Sequence, residues 1–453
     1  MPQDMSQAAN HIAEGRSTAL EALELSLEAA RSPAAEAAFT QHFEGAARQA
    51  AERLDVERKA GRTTARLAGL AVSVKALFDV QGVVTTAASR SLADAAPART
   101  DAAVVARLRA AGAALIGHTN MTEFAFSGVG INPHHGTPAN PATRALDPQP
   151  RIPGGSTSGG AVSVATGAAW AALGTDTGGS LRIPAALQGL VGFKCTAARV
   201  PNQGSIPLAP SLDTSGAVTL SVRDAVLLHE VLAARQVMLA ERPLSAWRLA
   251  VPKDVMLDAL EPAVAQAFER ALAQLSAAGA RIAEIALPPL ADAASLQRGG
   301  GLAAAESWAW HAHRMVQHEL EYDPRVAMRI RRGAALGAAE VAALHRERRD
   351  WITRMEAAVA GWDALLSPTV PIVAPRTAPL VASDDAFFAA NALLLRNPSL
   401  VNLLDGCALS LPCHRPSDWP VGLMVWGPAH ADDRVLSVSL AIESVLRSSL
   451  GAR

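Results

Sequence analysis

The 453-residue sequence has few cysteines, few aromatic residues and almost no net charge. Its three cysteines, Cys195, Cys407 and Cys413, form an unpatterned set, which argues against a disulfide framework and favours a reducing compartment. Because 41 basic residues face 42 acidic ones, the formal net charge of −1 gives no reason to expect a nucleic acid or an anionic membrane as partner. Aromatic residues make up only 4%, and the abundant Ala, Gly and Leu favour close-packed helices against a sheet.

A long, uninterrupted hydrophobic run is also missing. The most apolar long stretch, Ala161 to Gly174, is too short and too rich in Gly and Ser to span a bilayer. The N-terminal segment has no apolar core of signal-peptide length, so we expect a cytoplasmic protein. Half of all residues are nevertheless hydrophobic and only 18% are charged, which is unlike a disordered chain.

Short apolar segments alternate with segments of helical periodicity in the first half of the chain. The pattern predicts strands at Leu70–Val74, Ala114–Gly117 and Ala171–Gly174. It predicts helices over residues 18–31, with Ser17 as N-cap, and over 43–60, 101–112 and 158–169. This alternation is typical of βαβ units, and it predicts one large α/β domain whose mixed, largely parallel central sheet is covered by helices on both faces.

Two clusters of Gly and Ser lie close together, GGSTSGG at residues 154–160 and GTDTGGS at residues 174–180. Each lies where a predicted strand gives way to a helix, which is where open α/β sheets place their ligands. Glycine lets the backbone turn sharply there, and the four successive N–H groups of residues 177–180 are able to hold a developing oxyanion. An ordinary pair of tight loops is the alternative, and the clusters alone leave it open.

Other kinds of site fit these residues poorly. Neither cluster is followed by the Lys of a phosphate-binding loop, and no dinucleotide-binding G-x-G-x-x-G opens a helix. Asp176-Thr177-Gly178 is also the aspartic-protease tripeptide, but the only similar segment, at residues 213–216, has the wrong order. The G-x-S-x-G turn of the usual Ser-His-Asp hydrolases does not occur.

No metal is expected at the histidines. His311 and His313 lie two positions apart on a predicted helix, so their side chains point to different faces. The pair His134-His135 has no carboxylate or Cys at ligand spacing.

The residues around the two clusters resemble the amidase signature family. The resemblance is carried by residues 154–160, by Ser180 in GTDTGGSLRIPA, 24 residues after Ser156, and by Lys75 in LAVSVKALFDVQGVVTTA. Four further blocks are similar, and together they cover over half of the sequence in family order: DAAVVARLRAAGAALIGHTNMTEFAFSG, GLVGFKCTAARVPNQGSIPLAPSLDTSG, LLSPTVP and ALSLPC with PVGLMVWGP. Two positions depart from the family: Cys195 stands where Pro is usual, and the Gln common after Arg182 in the glutaminase subunits of tRNA amidotransferases is absent, which favours a stand-alone amidase.

The resemblance implies a role for each residue of the clusters. Ser180 would be the nucleophile, Ser156 the bridging serine after a cis Gly155–Ser156 peptide bond, and Lys75 the base. The oxyanion hole would be formed by the amides of Thr177, Gly178, Gly179 and Ser180. Structural support would come from Asp176, Arg182 and Ser158. We expect substrate contacts from Met121, Phe126, Ile131, Gly154 and Gly155, and a pocket wall from the 121–132 loop, the 300–330 helices and the 390–402 segment.

Elementary chemistry agrees with these roles. A serine hydroxyl needs a base to become nucleophilic, and a lysine at its ordinary pKa of ~10.4 is protonated at neutral pH. Burial in an apolar strand lowers that pKa because it disfavours the ammonium form. Lys75 follows Val-Ser-Val and precedes Ala-Leu-Phe, so the sequence predicts a buried lysine.

We therefore expect hydrolysis of a small-molecule amide through an acyl-enzyme on Ser180, without a metal or an organic cofactor. Esters and carbamates (urethanes) pass through the same tetrahedral geometry and would fit the same site. A homodimer is a possible assembly. Two alternatives stay open: the glutaminase component (GatA type) of a tRNA amidotransferase, and a non-catalytic protein that binds small amides.

Within the expected amidase domain, residues 1–453, the composition suggests four regions. These are N-terminal helices at 1–65, a catalytic core at 66–235, a helical lateral or cap region at 236–360, and C-terminal strands and helices that return to the core at 361–453.

Overall fold

Eleven strands form one continuous sheet in the computed structural model, which describes residues 4–62 and 65–451. The strands are β1 Phe39–His42, β2 Ala71–Lys75, β3 Ala114–Thr119, β4 Ala171–Thr175, β5 Val191–Lys194, β6 Ser215–Thr219, β7 Arg248–Pro252, β8 Arg281–Ile285, β9 Ala364–Pro368, β10 Cys407–Pro412 and β11 Gly422–Gly427. Their order across the sheet is β1-β3-β2-β4-β6-β5-β10-β11-β9-β7-β8.

The sheet is mixed, as predicted, but it is not largely parallel. The pairs β2–β3, β2–β4, β7–β8 and β7–β9 are parallel, whereas the other six neighbouring pairs are antiparallel. The prediction missed β5 and β6, and β6 runs opposite to both of its neighbours, β4 and β5. β10 and β11 add an antiparallel pair in the second half of the sheet.

Fifteen α-helices accompany the sheet in the described part of the chain. They are α1 Met5–Ala13, α2 Ala19–Ala30, α3 Glu44–Lys59, α4 Ala103–Ala110, α5 Ser158–Ala165, α6 Arg182–Gln188, α7 Val222–Ala233, α8 Pro262–Ala277, α9 Pro289–Leu296, α10 Gly301–His318, α11 Pro324–Arg331, α12 Ala338–Val359, α13 Thr377–Ala382, α14 Asp384–Leu403 and α15 Asp432–Gly451. Every residue of β2 to β6 is buried, so both faces of the central sheet are covered. Over the same described ranges, no helix combines the length and the apolar character needed to cross a membrane.

Helix α2 begins one residue later than its predicted cap. Thr18, not Ser17, is the N-cap: its hydroxyl accepts a hydrogen bond from the Glu21 amide, and the Glu21 carboxylate accepts one from the Thr18 amide. This reciprocal capping box satisfies two backbone N–H groups that the first turn would otherwise leave unpaired.

All four regions suggested by the composition contribute strands to the one sheet. β1 belongs to the first region, β2 to β6 to the second, β7 and β8 to the third, and β9 to β11 to the fourth. The boundaries between the regions stay predictions.

The parallel pairing of β2 with β4 positions the chemistry. Val74 pairs with Leu173 in this ladder, so the ends of both strands meet at the same edge of the sheet. The chain leaves β4 through residues 176–181 into α6, and residues 154–157 lead into α5. Both Gly/Ser clusters therefore lie in strand-to-helix or loop-to-helix turns beside the end of β2.

Candidate active site

Lys75 is the last residue of β2 and is completely buried. Its Nζ atom donates hydrogen bonds to the hydroxyl oxygens of Ser156, at 2.7 Å, and of Thr175, at 2.8 Å. Burial lowers the pKa of Lys75 to about 7, although the negative charges of Asp176 and Asp213 act in the opposite direction. A substantial fraction of Lys75 is therefore neutral near pH 7 and able to accept a proton.

Ser156 follows a cis peptide bond with Gly155, as predicted, and is buried. Backbone contacts fix this turn closely: the Ser156 carbonyl accepts from the Thr122 amide, at 3.2 Å. A Cβ atom on Gly155 would lie 2.7 Å from the backbone nitrogen of Gly130, and Gly154 has φ of +76°. The two glycines are required here by close packing and by backbone conformation.

Ser180 closes the second cluster and lines a cavity, with only 3% of its surface exposed. The amide of Thr157 donates to the carbonyl oxygen of Ser180 at 3.2 Å, which joins the two Gly/Ser clusters. Within residues 4–62 and 65–451, no hydrogen bond directly links the hydroxyls of Ser156 and Ser180. The structure thus places Lys75 and Ser156 in contact and Ser180 on the neighbouring turn.

A fully buried ion pair holds the turn that carries Ser180. Arg182 donates from Nε and Nη2 to the two oxygens of Asp176, at 3.0 and 2.8 Å, and both side chains are inaccessible to solvent. Asn402 adds a hydrogen bond to Asp176 Oδ1 at 2.9 Å. Burial raises the pKa of Asp176, but the charge and hydrogen bonds of Arg182 outweigh it and hold the pKa well below its ordinary value. Both residues have the supporting position that the resemblance implies.

The amide of Gly179 is not free to act in an oxyanion hole, contrary to the prediction. It donates to Asp176 Oδ1 at 2.9 Å. In the described residues, the amides of Thr177, Gly178 and Ser180 donate to no protein acceptor. Three of the four predicted donors therefore remain available to an oxyanion beside Ser180.

Asp213 braces the same turn from behind, and the prediction of site residues did not include it. Its Oδ1 atom accepts a hydrogen bond from the Thr177 hydroxyl at 2.5 Å, and its Oδ2 atom accepts from the amides of Leu208 and Ala209. Burial raises the pKa of Asp213 to about 6, which the hydrogen bond from Thr177 partly opposes. Asp213 stands in the segment GLVGFKCTAARVPNQGSIPLAPSLDTSG, so its place in a similar block was the available signal.

Ser158 has a minor supporting contact. It is the first residue of α5, is buried, and donates from its hydroxyl to the carbonyl of Asn120 at 3.4 Å. Across the described ranges, no group of three or more His, Cys, Asp or Glu side chains is arranged to hold a metal ion.

A cavity of about 820 Å³ opens beside Ser180, Thr177 and Gly178. Its wall includes parts of all three predicted segments: residues 125–127, residues 300–303 with Arg329, and seven residues between 392 and 403. Much of the lining is aliphatic, as at Leu212, Val255, Leu296, Leu302 and Leu395.

Only one of the five predicted substrate contacts lies on this cavity. Phe126 lines it, whereas Met121, Ile131, Gly154 and Gly155 are not part of its described wall. Ile131 packs into a separate apolar cluster with Ile152 and Leu187, and Met121 belongs to the main core. Sequence analysis missed the contribution of α9, which provides Leu290 and Leu296, because its apolar residues are spaced like those of any core-facing helix.

Comparison with known proteins agrees with this geometry. Residues 21–436 match the family described as Amidase. The chain belongs to the amidase signature family. This amidase is 36% identical over 410 residues to 2-amino-5-chloromuconic acid deaminase of Comamonas testosteroni, with 88% of this chain and 86% of that protein covered. It is 35% identical over 434 residues to the GatA-type component of the glutamyl-tRNA(Gln) amidotransferase of Symbiobacterium thermophilum, with 88% and 87% covered.

A solved structure described as that of an amidase superimposes with a TM-score of 0.87 at 35% identity, covering 97% of this chain and 99% of the other. The chain is thus a hydrolase that acts on the C–N bonds of amides.

Proposed function

We propose that this amidase cleaves a small carboxylic amide through an acyl-enzyme on Ser180. The observation that carries the proposal is the 2.7 Å hydrogen bond from Lys75 Nζ to Ser156 Oγ inside a fully buried pocket. Because burial lowers the pKa of Lys75 to about 7, the neutral amine is present at physiological pH and is able to act as a base.

Acylation begins when the Ser180 hydroxyl oxygen attacks the carbonyl carbon of the amide. Ser156 accepts the proton of Ser180 and passes its own proton to Lys75. The contact between the two serines tightens when substrate is bound, as catalytic hydrogen bonds commonly do. Lys75 thereby becomes an ammonium group next to the negative charges of Asp176 and Asp213, which favour that form.

The tetrahedral intermediate carries a negative charge on the former carbonyl oxygen. The unpaired amides of Thr177, Gly178 and Ser180 are the donors we propose for it, and one such donor commonly contributes ~10²–10³-fold in rate. When the C–N bond breaks, the proton stored on Lys75 returns through Ser156 to the leaving nitrogen. Water then enters, gives its proton to the same relay and releases the acid from Ser180.

The substrate is a small molecule that fills the 820 Å³ cavity, a size within the range of sites for drug-sized ligands. Esters and carbamates have carbonyl groups of the same geometry, and we propose that they enter the same site. The relative from Comamonas testosteroni is named for an acid, which supports a substrate with carboxyl groups.

A second candidate is the glutaminase component of a tRNA amidotransferase. It is supported by the 35% identity to the GatA-type protein of Symbiobacterium thermophilum over 434 residues. That role requires partner proteins, so hydrolysis of simple amides by the purified chain alone argues for the stand-alone amidase. A non-catalytic amide-binding protein would have no use for Lys75, Ser156 and Ser180 together. A homodimer stays a prediction.

The experiment is a screen of anilides, primary amides and carbamates with the wild-type protein and the Ser180→Ala variant. We expect hydrolysis of at least one class by the wild type and a folded Ser180→Ala variant below ~1% of that rate, because loss of a nucleophile costs several orders of magnitude. A variant that retains more activity would mean that another residue attacks the carbonyl.

A further inference from the structure

The cavity beside Ser180 is positively charged. Its wall contains Arg329, Arg332 and Arg396, but no Asp or Glu among the described residues that line it. None of the three arginines forms an ion pair with a carboxylate in the described part of the chain. Arginines in proteins are usually paired or exposed, so three without a carboxylate partner on one mostly aliphatic wall indicate an anionic ligand.

Arg329 is the best placed of the three. It lies on α11, and its Nη1 atom donates to the carbonyl oxygen of Phe126 at 2.6 Å while the guanidinium lies 4.4 Å from the centre of the Phe126 ring. These two contacts hold the guanidinium against a residue that itself lines the cavity. They leave Nε and Nη2 without a protein acceptor in the described residues. Those two nitrogens form one edge of the guanidinium fork, which matches the two oxygens of a carboxylate.

The charge of Arg329 is costly as the chain stands. Burial lowers the pKa of Arg329 to about 10, and the like charge of Arg332 acts in the same direction. Arg332 follows three positions later, so the two side chains lie on one side of the helix end. An anion between them would remove the repulsion and compensate the buried charge.

Arg396 has less to offer a ligand. Its guanidinium donates to the backbone carbonyls of Asp258 and Met256 and to the side chain of Asn397. Its nitrogens are therefore largely occupied, and Arg396 contributes mainly its positive charge to the cavity.

We propose that Arg329, assisted by Arg332, binds a carboxylate of the substrate, so that the preferred substrates are small amides with a second, free carboxyl group. This inference rests on the proposed function, since it names the substrate class of the same site. The carboxylate would accept two hydrogen bonds from Arg329, and the aliphatic wall would surround the carbon chain between the carboxylate and the amide.

The test compares substrates that differ only in this charge. The monoamides of malonic, succinic, glutaric and adipic acid are measured against neutral primary amides of the same chain length. We expect the wild type to prefer at least one acidic amide by about 30-fold or more in kcat/KM, because truncating one partner of a buried, hydrogen-bonded charge pair is usually that costly.

Arg329→Met should lose most of that preference through a higher KM for the acidic amide, while kcat/KM for the neutral amide changes by less than about threefold. Arg329→Lys, which keeps the charge but not the fork, should lie between the two. Arg331→Met is the matched control on the same helix, because Arg331 pairs with Glu319 on the exposed surface, and it should behave like the wild type. An unchanged preference in Arg329→Met, or an equal loss on both kinds of amide, would overturn the proposal.

A binding measurement separates this inference from the proposed function. Calorimetric titration of Ser180→Ala with the same four acidic amides should show binding that Arg329→Met removes from the same background. Binding without any hydrolysis by the wild type would refute the proposed function and leave the carboxylate site standing. Hydrolysis of neutral amides, without binding of any acidic amide, would refute the carboxylate site alone.

Discussion

The carboxylate of Asp176 accepts a hydrogen bond from the backbone N–H of Gly179 at 2.9 Å. The same carboxylate is bound by Arg182 in an ion pair that solvent does not reach. The turn that presents Ser180 to the cavity is thus built on a buried charge pair. This relationship explains why Asp176 and Arg182 flank the turn, and why only three of its amides are free for an oxyanion.

Removing the charge of Asp176 should destabilise the protein strongly. Asp176→Asn leaves the Arg182 guanidinium buried without its counter-charge, which costs about 3–5 kcal/mol in comparable buried pairs. Urea denaturation followed by circular dichroism measures this free energy of unfolding. The control is Asp292→Asn, which breaks the exposed pair with Arg354 and should change it by less than about 1 kcal/mol. Equal effects of the two substitutions would show that the buried pair does not stabilise the fold.

Two adjacent glycines should respond differently to substitution by alanine. Gly179 has φ of +127°, and a Cβ atom there would lie 2.6 Å from the Cβ atom of Pro398. At Gly178 the nearest atom, on Leu395, would be an ordinary 3.4 Å away. Gly179→Ala should therefore lower the melting temperature by several degrees, since backbone strain alone costs about 1–3 kcal/mol. Gly178→Ala should melt within about 2 °C of the wild type, and a reversed order would contradict the described turn.

Lys75 should make the stability of the fold depend on pH. Its pKa is about 7 in the folded chain and 10.5 when exposed, so between these values the unfolded chain binds a proton that the folded chain does not. Raising the pH through this window therefore favours the folded state, by up to about 1.4 kcal/mol per pH unit.

The measurement is the free energy of unfolding of wild type and Lys75→Met from pH 6 to 10. The difference, wild type minus variant, should be flat below pH 7 and rise above it. A difference that is constant over the whole range would mean that Lys75 keeps its ordinary pKa in the folded protein.

Local patterns predicted much of the site and part of the fold. Burial of Lys75 was evident from its apolar neighbours on both sides, and β2, β3 and β4 were predicted to within two residues. The central strands β5 and β6 were missed because VGFK and SGAVT are short and lack alternation. Without them the antiparallel centre of the sheet was invisible, which explains the mistaken expectation of a largely parallel sheet.

The cavity wall was the least predictable part. Arg329 and Leu296 approach Ser180 only through tertiary packing, and nothing in their local sequence distinguishes them from a solvated arginine and a core leucine. Conversely, Met121 and Ile131 stand in the right loop but pack into apolar clusters. Which amide of the turn is free was equally hidden, because it depends on the rotation that brings the Gly179 N–H onto Asp176.

The central claim is that neutral Lys75 takes the proton relayed through Ser156, and the rate of turnover as a function of pH tests it most directly. We measure kcat of wild type, Lys75→Ala and Lys75→Arg from pH 6 to 10, with circular dichroism at each pH to confirm folding. Wild-type kcat should rise with an apparent pKa near 7, far below the ordinary value of 10.5.

Lys75→Ala should lose most of kcat because the base is gone. Lys75→Arg should be almost as inactive at every pH, because a guanidinium stays protonated and cannot accept the proton. If Lys75 served only to hold a charge in the core, arginine would restore much of the activity. A Lys75→Arg variant close to the wild-type kcat, or a wild-type profile without a rise near pH 7, would contradict the mechanism.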